Sequence, residues 1–181
     1  MKLLNIIFLV FFGTSVFPWG KPPVSMQNYG KGVYEASCMI ETSVSTPAVW
    51  RLLCDYDGFT DVVSSLKLSK KVQTVPDILV EQIGQVKIFF THRQFRVLLK
   101  VLEKPSQSIE FEDISKKDFH EFHGSWEIKN TQTGTVVVYR VRAKPRLHAP
   151  GFVIKKTMKS DVSQMMQNVL AEIQRRGAES R

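Results

Sequence analysis

The feature that most constrains this chain is a series of alternating segments from residue 66 to residue 144, followed by one long segment of helical period. In 94–102, Phe95, Val97, Leu99 and Val101 fall on one side and Gln94, Arg96 and Lys100 on the other. In 108–114, Ile109 and Phe111 oppose Glu110 and Glu112; in 135–144, Val137, Tyr139 and Val141 oppose Arg140, Arg142 and Lys144. A period of two is that of a strand with one buried face. Segments 66–74, 78–89 and 119–128 complete the series, the last with His120, Phe122, Trp126 and Ile128 on one side. Turn residues at Val75-Pro76-Asp77, Lys104-Pro105-Ser106 and 130–134 recur at hairpin spacing, which predicts an antiparallel meander. Over 152–176, Ile154, Met158, Val162, Met165, Val169 and Ile173 recur every three or four residues, the stripe of an amphipathic helix that Gly177 is expected to stop.

Upstream, 33–43 alternates, with Tyr34, Ala36, Cys38 and Ile40 on one side. Ser45-Thr46-Pro47 opens a short helix, with Ser45 or Thr46 as cap and Pro47 in the first turn, and 59–63 forms a single turn. The order is strand, two short helices, six strands, long helix. It predicts an α+β fold: a curved antiparallel sheet of about seven strands wrapped around the C-terminal helix. Such an arrangement leaves a cavity between sheet and helix, and apolar cavities of this kind hold hydrophobic small molecules. Its expected lining is Cys38, Phe95, Val97, Phe111, Phe122, Trp126, Val137 and Tyr139 from the strands, with Met158, Val162 and Met165 from the helix.

The chain has 181 residues, enough for one domain with a sizeable core. Met1-Lys2, an apolar run over 3–12 and Gly13-Thr14-Ser15 have the parts of a secretory signal, with cleavage after Ser15 or near Gly20. The run is shorter than the roughly 20 residues needed to span a bilayer. The expectation is a leader over 1–20 and one ligand-binding domain over 21–181, exported to the periplasm or beyond and soluble after cleavage. Two cysteines, Cys38 and Cys54, exclude a disulfide scaffold; export permits a bridge between them, but two buried thiols are the expectation. Residues 21–139 carry 14 basic and 14 acidic side chains, whereas 140–181 carry 10 basic against Asp161, Glu172 and Glu179. The net charge of +8 is therefore concentrated in the last quarter. Arg140, Arg142, Lys144, Lys155, Lys156 and Lys159 are candidates for an anionic membrane surface. No nucleic-acid motif accompanies them, and no nucleic acid is expected.

Thr46-Pro47-Ala48-Val49-Trp50 with Asp55-Tyr56-Asp57, Val80-Glu81-Gln82, the stretch 119–126, the strand ending at Pro145 and the terminal helix occur in a telling order. Gly124-Ser125-Trp126 followed by 135–139 is the strongest single motif. In this order, over residues 34–176, the chain resembles the START-like helix-grip superfamily (SRPBCC), and within it the polyketide cyclase/dehydrase and coenzyme Q-binding group. The resemblance implies a hydrophobic ligand cavity. It does not imply catalysis, because that superfamily mixes lipid carriers, binding proteins and cyclases.

Polar candidates are few. His120, on the side of Phe122 and Trp126, is the best-placed acid or base, and the Tyr139 hydroxyl needs a partner. Glu81 and Arg93 lie on neighbouring strands where both would face a cavity end, pairing with each other or holding a polar ligand head. His92 and His148 fall near turns, where surface placement is expected. His120 and His123, three apart, make no local metal pair; no phosphate loop, GxSxG or HExxH motif is present, and no cofactor or metal is indicated. Three functions follow: an exported monomeric carrier of a lipid or quinone-like molecule, favoured because apolar inward positions dominate; a cyclase or dehydratase; and a membrane-surface module using the basic last quarter.

Overall fold

A computed structural model describes residues 21–88, 90–147 and 149–179. The expected leader therefore lies outside the described residues. Eight strands form one antiparallel sheet: β1 (Val24–Gly30), β2 (Val33–Thr42), β3 (Leu66–Gln73), β4 (Ile78–Ile88), β5 (Thr91–Lys104), β6 (Ser108–Asp113), β7 (Phe119–Thr131) and β8 (Gly134–Pro145). Two short helices, α1 (Thr46–Leu53) and α2 (Phe59–Val62), separate β2 from β3, and the long α3 (Gly151–Glu179) closes the chain. The spatial order is β1-β2-β8-β7-β6-β5-β4-β3, so the meander from β3 to β8 is sequential and β2 joins its far edge.

β1 is the strand that the alternation does not predict. Only Val24 is buried and Met26 half-buried along it, so it shows no inward face. It is held instead by its backbone pairing with β2 from Val24↔Cys38 onward. The other strands carry their inward residues as the pattern requires: Ala36, Val80, Val97 and Val137 are fully buried.

α1 and α2 plug the end of the sheet where β2 finishes. Ser45 is the N-cap of α1, but its side chain makes no capping bond; its carbonyl accepts the amides of Ala48 and Val49. The Thr46 hydroxyl is used elsewhere, meeting that of Thr135 at 3.1 Å, while Thr135 donates to the Val44 carbonyl. Val49, Leu52, Leu53, Phe59 and Val62 join Ile128 in the hydrophobic core.

α3 buries Val162, Met166, Val169 and Ile173. It is anchored along its second half: Ser163 Oγ donates to the Pro22 carbonyl, Asn168 Nδ2 to the Val62 carbonyl, and Arg176 to Asp55 at 3.1 Å. Gly177 does not stop the helix, which runs on to Glu179. A Cβ there would stand 2.6 Å from a methyl of Val44, so this glycine lets the helix end approach the β2–α1 link. The first turns are held more loosely, with Thr157 donating to the Lys87 carbonyl at 3.5 Å.

Candidate functional site

Between α3 and the concave face of the sheet lies a cavity of about 470 Å³, within the range that holds small-molecule ligands. Its floor is made by Tyr56, Phe59 and Val63 below the strands. Its mouth lies at the opposite end, where β4 finishes, β5 and β7 begin and β8 passes to α3. There Ile88, Arg93, Phe119, Arg146, Leu147 and Ile154 form the rim.

Of the predicted lining, Phe95, Phe111, Phe122, Trp126 and Tyr139 reach the wall from the strands, and Met158, Val162 and Met165 from α3. Cys38, Val97 and Val137 do not. They share the inward parity but are 3%, 0% and 0% exposed, packed among their neighbours without reaching the cavity. The aromatic rings touch in one continuous series: Phe95, Phe119, Phe122, Phe111, Tyr139, Trp126, Phe59 and Tyr56, with successive centroids 4.4 to 6.5 Å apart. Two of these rings lie over glycines on the paired strand. A Cβ on Gly84 would run into the Phe95 ring, and one on Gly124 would meet the Phe111 ring at 2.6 Å. The glycines thus set the depth of the wall.

His120 is outside. The pairing shifts by one residue between Phe119↔Pro145 and Glu121↔Lys144, which breaks the alternation. Phe119 takes the inward place, and exposed His120 lies in an open groove with Lys31, Lys144 and Arg146. Partial desolvation, then the charges of Arg146 and Lys144, lower its pKa. His123 stands beside Glu121 at 3.0 Å on the outer face, exposed His92 sits at the start of β5, and His148 is outside the described residues. Among the described residues, no group of three or more His, Cys, Asp or Glu side chains could hold a metal ion.

Glu81 and Arg93 are not partners. Val80 and Gln82 face the cavity, which turns Glu81 to the convex side, where it pairs with Arg96. Arg93 is at the mouth, across from Val86. Gln82 supplies the polar group of that motif to the wall, and its Nε2 donates to Ser69 Oγ at 3.2 Å.

The six basic candidates do not share one surface. Arg140 pairs with Glu127, and Arg142 donates twice to Glu35 while stacking on Tyr29, both on the convex side. Lys144 lines the groove beside the mouth. Lys155, Lys156 and Lys159 are exposed on α3 and have no ion pair among the described residues.

Two cavity groups have unmet hydrogen-bonding capacity. Tyr139 is 7% exposed, its hydroxyl makes no hydrogen bond among the described residues, and burial raises its pKa. Asp161 lines the cavity from α3 with neither hydrogen bond nor ion pair among the described residues, and burial pushes its carboxyl up to about 6. In the sequence Asp161 figures only as one of three acids in the basic last quarter. Its spacing was the available signal: it stands three residues after Met158 and four before Met165, on the same helix face. The cysteines offer no nucleophile. Both are free, and burial drives their thiols up to about 11 for Cys38 and about 12 for Cys54.

The family described as "Polyketide cyclase / dehydrase and lipid transport" matches residues 42–170. No curated protein matches the chain in sequence. Among solved structures, a START superfamily protein from Mycobacterium smegmatis superposes with a TM-score of 0.66 at 12% identity, over 78% of this chain and 97% of that one. A STAR-related lipid transfer protein from Xanthomonas axonopodis gives 0.64 at 11% identity, over 83% and 98%. The di-domain aromatase/cyclase StfQ of the steffimycin pathway gives 0.64 at 12% identity over 81% of this chain, which spans 52% of that protein's length. These likenesses show a common fold, that of a long helix gripped by an antiparallel sheet. With the matched segment covering the floor helices, the cavity strands and most of α3, the chain belongs to the polyketide cyclase/dehydrase and lipid transport family of START-like proteins.

Proposed function

We propose that this protein is an exported carrier that binds a hydrophobic small molecule or lipid, a class that includes quinone-like molecules, and exchanges it at an anionic membrane surface. The observation that carries the reading is the aromatic and aliphatic cavity of about 470 Å³, with few polar groups on its wall. Removing about 300 Å² of ligand apolar surface from water supplies roughly 7 kcal/mol before the costs of association are subtracted. Support for a membrane step comes from the rim. Phe90 is 96% exposed at the β4–β5 turn and Phe152 is 70% exposed in the first turn of α3. Lys155, Lys156 and Lys159 follow on the same helix. Aromatic side chains beside lysines favour the boundary of an anionic bilayer. No described helix is long and apolar enough to cross a membrane.

The test is native mass spectrometry of the protein recovered from its own envelope, beside Met165→Trp, which fills the cavity. A bound apolar species present in the first and lost in the second supports the reading. A chain that carries nothing and saturates with no lipid or quinone probe refutes it. Amino-terminal sequencing of the same material checks export: a start after Ser15 or near Gly20 supports it, and a start at Met1 counts against it.

A cyclase or dehydratase is the second reading, favoured by Asp161. A carboxyl titrating at about 6 inside an apolar cavity that also contains the Tyr139 hydroxyl can take up and return a proton. Turnover of an aromatic polyketide precursor, lost in both Asp161→Asn and Tyr139→Phe, would establish it over the carrier.

A further inference from the structure

We infer that the ligand is an anionic amphiphile, seated with its apolar part in the cavity and its charged group in the basic groove at the mouth. The inference rests on the carrier reading and specifies the ligand of that same site. Cavity and groove adjoin: Pro145, Arg146, Leu147 and Ile154 line both. The groove adds Lys31 from the β1–β2 turn, Tyr34, His120 and Lys144, and no carboxylate lines it.

What sets these cations apart is that they gather at one opening without an acid, whereas Lys67, Lys70 and Lys87, also unpaired among the described residues, are spread along the strands. On the strands Arg96, Lys100, Lys104, Arg140 and Arg142 are each met by an acid, namely Glu81, Asp77, Glu110, Glu127 and Glu35. Lys31 and Lys144 have no hydrogen bond or ion pair among the described residues. Arg146, which also lines the groove, uses Nε on the Lys116 carbonyl at 3.1 Å, and its terminal nitrogens make no hydrogen bond among the described residues. Unmatched cations gathered against an apolar opening suit one anionic group carried on an apolar body.

The interior sets the orientation. Asp161 opposes a negative charge drawn inside, where the lining's donors are neutral side chains such as Gln82, Tyr139 and Trp126, while its cations, Arg93 and Arg146, stand at the mouth. Asp118, the other acid of the wall, has Oδ2 occupied by the Arg96 amide at 2.8 Å. A molecule with an acidic end therefore enters tail first.

The experiment displaces a neutral fluorescent apolar probe from the purified protein with matched pairs: a long-chain fatty acid against its alcohol, and phosphatidic acid against the diacylglycerol of the same chains. The expected result is about tenfold tighter competition by the acidic member, shrinking at high salt. In Lys31→Gln/Lys144→Gln the advantage disappears, while the alcohol competes as before and the melting temperature is unchanged. Equal competition by acid and neutral partner overturns the proposal and leaves the carrier reading standing. An acidic preference that survives the double substitution also overturns it. So does inorganic phosphate binding the groove as tightly as the phosphatidic acid head, which would make it a free-anion site. Displacement of the probe by no member of either pair overturns the carrier reading along with it.

Discussion

Replacing Asp161 with asparagine removes a carboxylate that the cavity wall leaves without a partner. In the unfolded chain this group titrates at its ordinary 3.8, and in the fold burial holds it at about 6. Between those values the folded state binds more protons than the unfolded one. Stability therefore falls as pH rises through that window, and the loss is complete above it. At about 1.4 kcal/mol per unit, a rise of roughly two units amounts to about 3 kcal/mol, an upper figure since the mouth admits water. The neutral amide of the variant has no such titration. Urea unfolding from about pH 4 to pH 7.5 should show the natural protein losing about 2–3 kcal/mol relative to Asp161→Asn across the window, the titrations common to both cancelling in the difference. The variant is then the more stable protein near neutrality and the equal or weaker one near pH 4. Apolar cargo lying against the carboxyl desolvates it further, so uptake should strengthen as pH falls and lose that dependence in the variant. The reasoning is refuted if both proteins share one pH slope, or if the variant is no more stable above the window.

Trp126→Ala should cost about 2–4 kcal/mol, below a sealed-core tryptophan because its ring borders a cavity, and should weaken ligand binding in the same titration. Unchanged stability together with unchanged binding would remove it from both roles. Gly124→Ala drives a Cβ into the Arg140 carbonyl oxygen, so β7 and β8 must separate locally; a loss of about 1–3 kcal/mol in chemical denaturation is expected. Phe90→Ser combined with Lys155→Gln and Lys156→Gln should abolish salt-sensitive co-sedimentation with anionic vesicles; sedimentation indifferent to lipid charge and salt in the natural protein would refute the surface assigned to it.

The meander and the helix were legible because each buries one face, and burial writes its period into the sequence. β5 shows this best: Val97, Leu99 and Val101 are buried on one face, while Arg96, Leu98, Lys100 and Leu102 take the other. β1 was not legible because its stability comes from backbone pairing at a sheet edge, which leaves no pattern in the side chains. His120 and Phe119 exchanged places because one residue of slippage reverses parity, and no residue type marks where β7 slips. Glu81 is excluded from the inward side by its own neighbours, Val80 and Gln82, which already hold it. Gly177 follows the rule for helix ends but obeys a different constraint, the nearness of Val44. Asp161 was legible by spacing and obscured by charge, since an acid on an apolar stripe is ordinarily a break in it.

The unequal fastening of α3 gives the fold a lever. From Ser163 onward the helix is tied to Pro22, Val62 and Asp55, whereas the turns over the cavity reach the sheet's far side through Thr157 and Lys87. The free arm from residue 163 back to residue 151 is about 18 Å long at about 1.5 Å per residue. A tilt of about 10° about the tethered half moves its tip by about 3 Å, roughly the thickness of a flat ring. A bend confined to this one end of one helix would widen the way to the interior with the sheet and the floor helices left in place.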